Sequence, residues 1–235
     1  MARETKAEKQ RRAVEVFDRL ESVMPEARIE LDYRTPLELL VAVILSAQCT
    51  DKRVNLVTPA LFQRYPDARA YATADLAELE SFIRTCGLYR SKAKNLIAAG
   101  QALVERHAGQ VPTSRAALAE LPGVGLKTAG VVTIHLGGDD AFPVDTHIRR
   151  LSNRLGLSRE DDPDKVERDL QQLLPPERWA KGHQLLIWHG RRICTARAPA
   201  CERCEVAGLC PKIGVARRSA ARPTTPSRAP RRGRP

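Results

Sequence analysis

The chain has 235 residues, 43% of them hydrophobic, enough for one large domain or two smaller ones with a packed interior. Aromatics make up only 4% and regular short alternating runs are absent, which argues against a strand sandwich or barrel, and six cysteines are too few for a disulfide scaffold. The formal charge is +11, but eight basic and no acidic residues lie between Lys212 and Pro235, leaving +3 for everything before them.

Taken in chain order, the pattern is helical. An amphipathic segment over 7–24 puts Val14, Phe17, Leu20 and Val23 on one face and ends at Pro25. The N-terminus has no apolar stretch behind its charges, so no secretory leader is expected. Thr35-Pro36-Leu37-Glu38 is a compact helix start: Thr35 caps, Pro36 suits the first position, and Glu38 closes a capping box. The mainly apolar stretch that follows, Leu39–Ala47, spans nine residues and reads as a buried central helix, far short of the ~20 a membrane span needs. Further helices are expected over 51–65, 75–84, 91–107, 114–121, 124–136, 146–155, 163–174 and 176–189, joined by short links. Val131-Val132-Thr133-Ile134 has strand propensity but continues a helical pattern. The tail from Lys212 is rich in Pro, Arg, Ser and Ala and is expected to be disordered. It suits phosphate contact that reads no sequence, and equally a solubilising arm. A soluble, cytoplasmic, mostly helical chain is expected.

Two segments carry chemistry. Leu121-Pro122-Gly123-Val124-Gly125-Leu126-Lys127-Thr128-Ala129 joins two helical stretches. Glycines at a helix start let backbone approach closely and leave N–H groups for an anion, a DNA phosphate being the natural guest. A Walker loop needs Gly before the Lys-Thr pair, where Leu126 stands, and a dinucleotide fingerprint needs Gly at 128 and a preceding strand. The nonapeptide instead resembles a helix-hairpin-helix DNA-binding motif. The second segment holds Cys194, Cys201, Cys204 and Cys210, spaced C-x6-C-x2-C-x5-C. Thiolates this crowded point to a metal centre ahead of disulfides. Structural zinc usually uses two close pairs, whereas one pair with a single cysteine on each side fits the count of an iron–sulfur cluster; both remain open on chemistry alone. Cys49 and Cys86 read as small buried hydrophobes.

With Leu45-Ser46-Ala47-Gln48, Gly87-Leu88-Tyr89 and Val144-Asp145-Thr146-His147 in the same order, the stretch from about Arg12 to Lys212 resembles the endonuclease III family of DNA glycosylases and AP lyases. The resemblance implies an all-α fold of two helical domains with the active site in the cleft between them. Residues 29–139 would form a six-helix barrel with the helix-hairpin-helix. Residues 1–28 plus 140–211 would form a discontinuous cluster domain holding a [4Fe-4S] group, and 212–235 a tail outside the family core. It also implies base excision repair of oxidised pyrimidines in double-stranded DNA, by a monomer working at the bacterial nucleoid.

The residues are compatible with that chemistry. Lys127 matches the Schiff-base nucleophile. The attacking amine must be neutral, yet a free lysine with pKa ~10.4 is only about one part in a thousand neutral near pH 7.4. Val124, Leu126 and Val131 would favour the neutral form by desolvation. Asp145 matches the catalytic carboxylate and also stands where an N-cap would. Since an anion near Lys127 opposes its activation, Asp145 is expected to serve developing positive charge at the sugar and proton or water transfer. Gln48 and Leu88 match the family's plug and wedge, filling the space a rotated-out nucleotide leaves. The backbone of Gly123, Val124 and Gly125, together with His147 and Arg197, matches phosphate contacts. The alternatives are an adenine-glycosylase-like monofunctional enzyme, which would lack the hairpin lysine and carry a large further domain, and a non-catalytic DNA-binding module.

Overall fold

A computed structural model of the chain describes residues 4–137 and 141–215. The expected domain boundary at 139/140 and the tail from residue 216 lie outside the described residues. Among the described residues all regular structure is helical.

The first helix, α1 (Lys6–Val23), starts with a capping box in which Thr5 and Glu8 exchange hydrogen bonds. Its buried stripe is Ala13, Val16, Phe17 and Leu20. Phe17 and Leu20 are buried as expected, whereas Val14 is half-buried and Val23 is 46% exposed. Helix α2 (Pro36–Ser46) is the central one, with every residue from Leu39 to Leu45 buried. Thr35 accepts from the Glu38 N–H at 3.2 Å as expected. The Glu38 carboxylate accepts from Arg34 N–H rather than that of Thr35, so the box closes one residue early.

Around α2 stand α3 (Asp51–Arg64), α4 (Ala68–Ala72), α5 (Leu76–Ile83), α6 (Tyr89–His107), α7 (Arg115–Ala119) and α8 (Leu126–Leu136), sharing one apolar core from Leu31 to Val132. The five-residue α4 was not expected; it is too short to carry a helical period. A second core joins α1 to α9 (Thr146–Arg154), α10 (Pro163–Leu173) and α11 (Trp179–Arg192). The chain thus closes its second body with its own N-terminal helix.

Between the two bodies runs a buried extended segment, Ala141–Val144. One carboxylate holds it: Glu167 of α10 accepts from the Phe142 N–H at 2.8 Å and pairs with Arg115 of α7 at 2.9 and 3.1 Å. Arg115 Nε also donates to the Leu126 carbonyl at 3.3 Å, just where α8 begins. Glu167 is 6% exposed, so removing it leaves buried polar groups facing apolar surface. Glu167→Ala should cost about 3 kcal/mol in urea unfolding. Arg19→Ala, which breaks an exposed pair with Glu15, should cost under about 0.5 kcal/mol.

Candidate active site

The hairpin turns on two backbone hydrogen bonds, Val124 N–H to the Leu121 carbonyl at 3.0 Å and Ala129 N–H to Gly125 at 2.9 Å. Gly123 sits at φ +79°, and a Cβ there would meet the Asn95 side chain at 2.7 Å. Gly125 caps α8 with no side chain to offer, and nothing lies within 4 Å of where its Cβ would be. The first-turn N–H groups of α8 therefore face open space with the positive end of the helix behind them. Lys127 lies in this first turn and is exposed. Of the three apolar neighbours expected to shield it, Val124 is buried and Val131 half-buried, while Leu126 is 61% exposed on the outer side of the hairpin.

Lys127 opens onto a cleft of about 330 Å³ between the two bodies. Thr128 and Val131 of α8 share its wall, Ser46, Ala47, Gln48 and Asp51 form its edge at the α2–α3 corner, and His183, Gln184, Ile187 and Arg191 of α11 form its far side. Asp145 lines the same cleft. Its Oδ1 accepts from the Ile148 N–H at 2.7 Å, so it also caps α9; the two roles coexist because the cap uses one carboxylate oxygen. Among the described residues Asp145 forms no ion pair with Lys127. Buried behind them is His183, whose ring burial pushes down to a pKa of about 3.

Gln48 and Leu88 project from the barrel body, both exposed and both in the left-handed region, at φ +53° and +59°. That conformation costs a non-glycine residue roughly 1 kcal/mol or more and persists only where the surroundings impose it. Here the two loops are pressed together: a Cβ on Gly87 would come within 2.8 Å of the Gln48 carbonyl. Below them the buried Lys92 ammonium donates to the Leu45 and Ala47 carbonyls at 2.8 and 2.6 Å, tying off the end of α2. Cys86 is buried as expected, with a thiol pushed up to about 11 by desolvation and by Cys49 beside it. Cys49 is half-buried and lines the cleft. His147 and Arg197 lie away from the cleft, His147 against Gly190 with its Nδ1 3.1 Å from Arg150, and Arg197 exposed in the loop between Cys194 and Cys201.

That loop wraps a second, small cavity lined by all four of Cys194, Cys201, Cys204 and Cys210. Burial and mutual repulsion push the Cys204 and Cys210 thiols up, so thiolates here call for a cationic group among them. Among the described residues no three such donors converge tightly enough for a single metal ion. Four cysteine sulfurs around one cavity match the ligand count of an iron–sulfur cluster. Three guanidiniums surround the loop. Arg150 donates to the Cys194 carbonyl, Arg154 to the Thr195 and Ala196 carbonyls and Cys194 Sγ, and Arg12 to the Leu209 carbonyl.

Comparison with known proteins agrees with this layout. Residues 41–176 match the HhH-GPD superfamily of base excision DNA repair proteins, and residues 194–210 match the iron-sulfur binding domain of endonuclease III. The endonuclease III of Synechocystis sp. is 51% identical over 206 residues, covering 87% of this chain and 94% of that protein. The chain belongs to the endonuclease III family. Two solved structures of family members, a trapped endonuclease III–DNA covalent intermediate and a non-covalent endonuclease III–DNA complex, are 42% identical and superpose with a TM-score of 0.81 over 86% of this chain and 96% and 95% of theirs. As a family member the chain is a bifunctional DNA glycosylase and AP lyase of base excision repair with a [4Fe-4S] cofactor, for which the four loop cysteines are the fitting ligands. No described helix is long and apolar enough to cross a membrane.

Several residues of this cleft carry no sequence motif. His183, Gln184 and Arg191 sit on an apolar helix, and only the fold shows that one side of it faces the cleft. Arg191 bridges to Asp51 at 2.7 Å and to Glu30, closing one end of the cleft with ion pairs.

The buried histidines give the protein an acid limit. Burial holds His135 neutral down to about 4 and His183 to about 3, whereas both take up a proton near 6.5 when the chain unfolds. The unfolded state therefore binds more protons below 6.5, and stability falls as the pH drops toward 4, by up to about 1.4 kcal/mol per unit per ring. Urea midpoints should be lower at pH 5 than at pH 7.5, with His135→Gln flattening the slope; equal midpoints would contradict the burial argument.

Proposed function

We propose that this chain excises oxidised pyrimidines from duplex DNA and cleaves the abasic product, with Lys127 as nucleophile and Asp145 as its partner carboxylate. The observation that carries this reading is that the two side chains, rooted in different helical bodies, line one cleft large enough for a nucleotide. The solved relatives whose titles describe covalent and non-covalent DNA complexes support the choice of ligand.

A base inside a duplex is out of reach, so the damaged nucleotide must rotate into the cleft. Gln48 and Leu88, held outward by their left-handed backbones, are the side chains to occupy the space it leaves. The N–H groups of Gly123 and Gly125 grip a phosphate at the turn that Val124 closes with its bond to the Leu121 carbonyl, and Arg197 and His147 provide further contacts outside the cleft. The neutral Lys127 amine then bonds to C1′ as the bond to the base breaks, and the base leaves with a proton. Asp145 stabilises the positive charge that builds on the sugar. Ring opening gives an iminium, loss of the C2′ proton expels the 3′ phosphate, and hydrolysis returns the lysine. No electron is transferred in these steps, so the cluster contributes rigidity to the loop it holds. The two separate cores support the division into a barrel over 29–139 and a discontinuous cluster domain over 1–28 plus 140–211. The enzyme is read as a monomer, acting in the cytoplasm at the nucleoid.

Borohydride trapping on a duplex with an abasic site should give a covalent adduct with the native chain and none with Lys127→Gln. An adduct from the Lys127→Gln protein would displace the nucleophile assignment. Asp145→Asn should slow single-turnover base release by roughly 10²- to 10⁴-fold. A lesion panel scored for both free base and strand scission tests the pyrimidine preference, and faster release of adenine from mispairs would favour the adenine-glycosylase reading.

A further inference from the structure

Helix α11 places His183 and Gln184 in the wall of the cleft, and at 2% and 5% exposure they are its most deeply buried polar side chains. Leu31 and Val43 of the same wall are buried too, whereas Lys127 and Gln48 are exposed. The cleft therefore has its mouth at Lys127 and a floor that is apolar apart from these two residues.

The Gln184 amide is committed on one side only. Its Nε2 lies 2.9 Å from His135 Nε2 and 3.1 Å from His183 Nδ1, so each hydrogen of the NH2 group has a ring nitrogen to meet. A nitrogen that takes such a hydrogen is an unprotonated acceptor, and burial favours this by keeping both rings neutral. The Gln184 Oε1 has no partner among the described residues, yet it is not sealed from solvent. An amide held this way presents a fixed acceptor and no donor. Gln184 also lines a second cavity, of about 520 Å³, in company with Ile29, Leu31 and His135, and so stands as the partition between that cavity and the cleft.

We infer that Gln184 Oε1 is a specificity determinant that accepts a hydrogen bond from the ring N3–H of the extruded base. The inference rests on the oxidised-pyrimidine reading given above. Lys127 attacks C1′, the atom that carries the base, so a nucleotide with its sugar at the mouth of the cleft directs its base toward the floor. A base taken out of the duplex is read along its pairing edge. Lesions derived from uracil or thymine hold a hydrogen on N3 between two carbonyls, while those derived from cytosine hold a lone pair there. A carbonyl oxygen on the floor pairs with the first kind and repels the second, a distinction that an apolar floor makes poorly. Sharing one NH2 group between two buried rings keeps the amide from turning over to offer a donor instead.

Two lesions, 5-hydroxyuracil and 5-hydroxycytosine, differ only along this edge. Single-turnover base release should favour the uracil lesion in the native protein, and the ratio of the two rates should shrink roughly 10- to 100-fold in Gln184→Leu. An unchanged ratio in folded Gln184→Leu turns the carbonyl toward the second cavity and overturns the inference. Strand scission at a preformed abasic site involves no base. A Gln184→Leu loss there equal to the loss in 5-hydroxyuracil release would make Gln184 part of the frame of the site, and overturns the inference as well. The native protein supplies a test that needs no variant. ¹⁵N NMR should find His135 Nε2 and His183 Nδ1 without hydrogen, and a hydrogen on either contradicts the orientation of the amide. Native protein that releases neither lesion removes the oxidised-pyrimidine reading and this inference with it, whereas release of both at a ratio that Gln184→Leu leaves alone removes the inference only.

Discussion

Lys127 and Asp145 belong to bodies with separate apolar cores, and the polar pins between those bodies hold both against one cleft. Interfaces between domains of one chain tend to move unless something fixes them. Here the fixing is done by directional bonds. Glu167 reaches from α10 to both Arg115 and the Phe142 N–H, so the segment leading to Asp145 and the start of α8 share one carboxylate. At the far end of the cleft Arg191 bonds both Asp51 and Glu30. Apolar contact alone resists separation but tolerates sliding. Ion pairs and backbone hydrogen bonds on both flanks set the width and register of the cleft, at the price of burying charge that is stable only while paired.

The cleft's edge depends on a second compensation. Left-handed backbone at Gln48 and Leu88 is unfavourable in isolation, and neither residue has the side chain of an Asn or Gly to ease it. Lys92 offsets this by taking two carbonyls at the end of α2, the groups a helix terminus leaves without partners. Burial disfavours the charge on Lys92 and shifts its pKa down, so the ammonium is retained for its carbonyl partners and not for exposure to ligand. The missing side chain at Gly87 lets the second loop pack on the first. Strain is thus held at the two exposed tips while the cost is met in the interior.

Most of this architecture was legible because helices announce themselves locally. Period and caps placed α1, α2 and the later helices, and Val131–Ile134 lies within α8 as its pattern implied. The exceptions have local causes. The five-residue α4 is shorter than the pattern needed to see it, and the buried stripe of α1 follows Ala13, whose small side chain carries little hydrophobic signal. The site divides the same way. Lys127, Asp145, Gln48 and the four cysteines stand in recognisable local runs. His183, Gln184, Lys92 and Arg191 do not, because each is defined by a partner 45 or more residues away or by a wall that only the fold assembles. Leu126 failed as a shield for the same reason: its place in the motif says nothing of which way the hairpin turns it, and it turns out.

The cluster loop completes the same logic from the other end of α9. That loop has little regular structure of its own, so its backbone carbonyls need outside donors. Arg150 and Arg154 supply them from α9, and Arg12 of α1 bonds the Leu209 carbonyl at 3.3 Å while its other contact, 2.6 Å to the Leu155 carbonyl, ties it to the end of α9. Four thiolates bring four negative charges into a half-buried cavity, and the guanidiniums that order the loop also offset them. Helix α9 therefore has Asp145 as its N-cap and the arginines that hold the cluster loop along its later turns. A rigid helix of nine residues transmits orientation from one end to the other. Loss of order in the cysteine loop would free Arg150 and Arg154, loosen the seat of α9, and so reach the carboxylate in the cleft. The cysteine loop and the carboxylate in the cleft are in this sense two ends of one element, so the order of the loop bears on the position of Asp145.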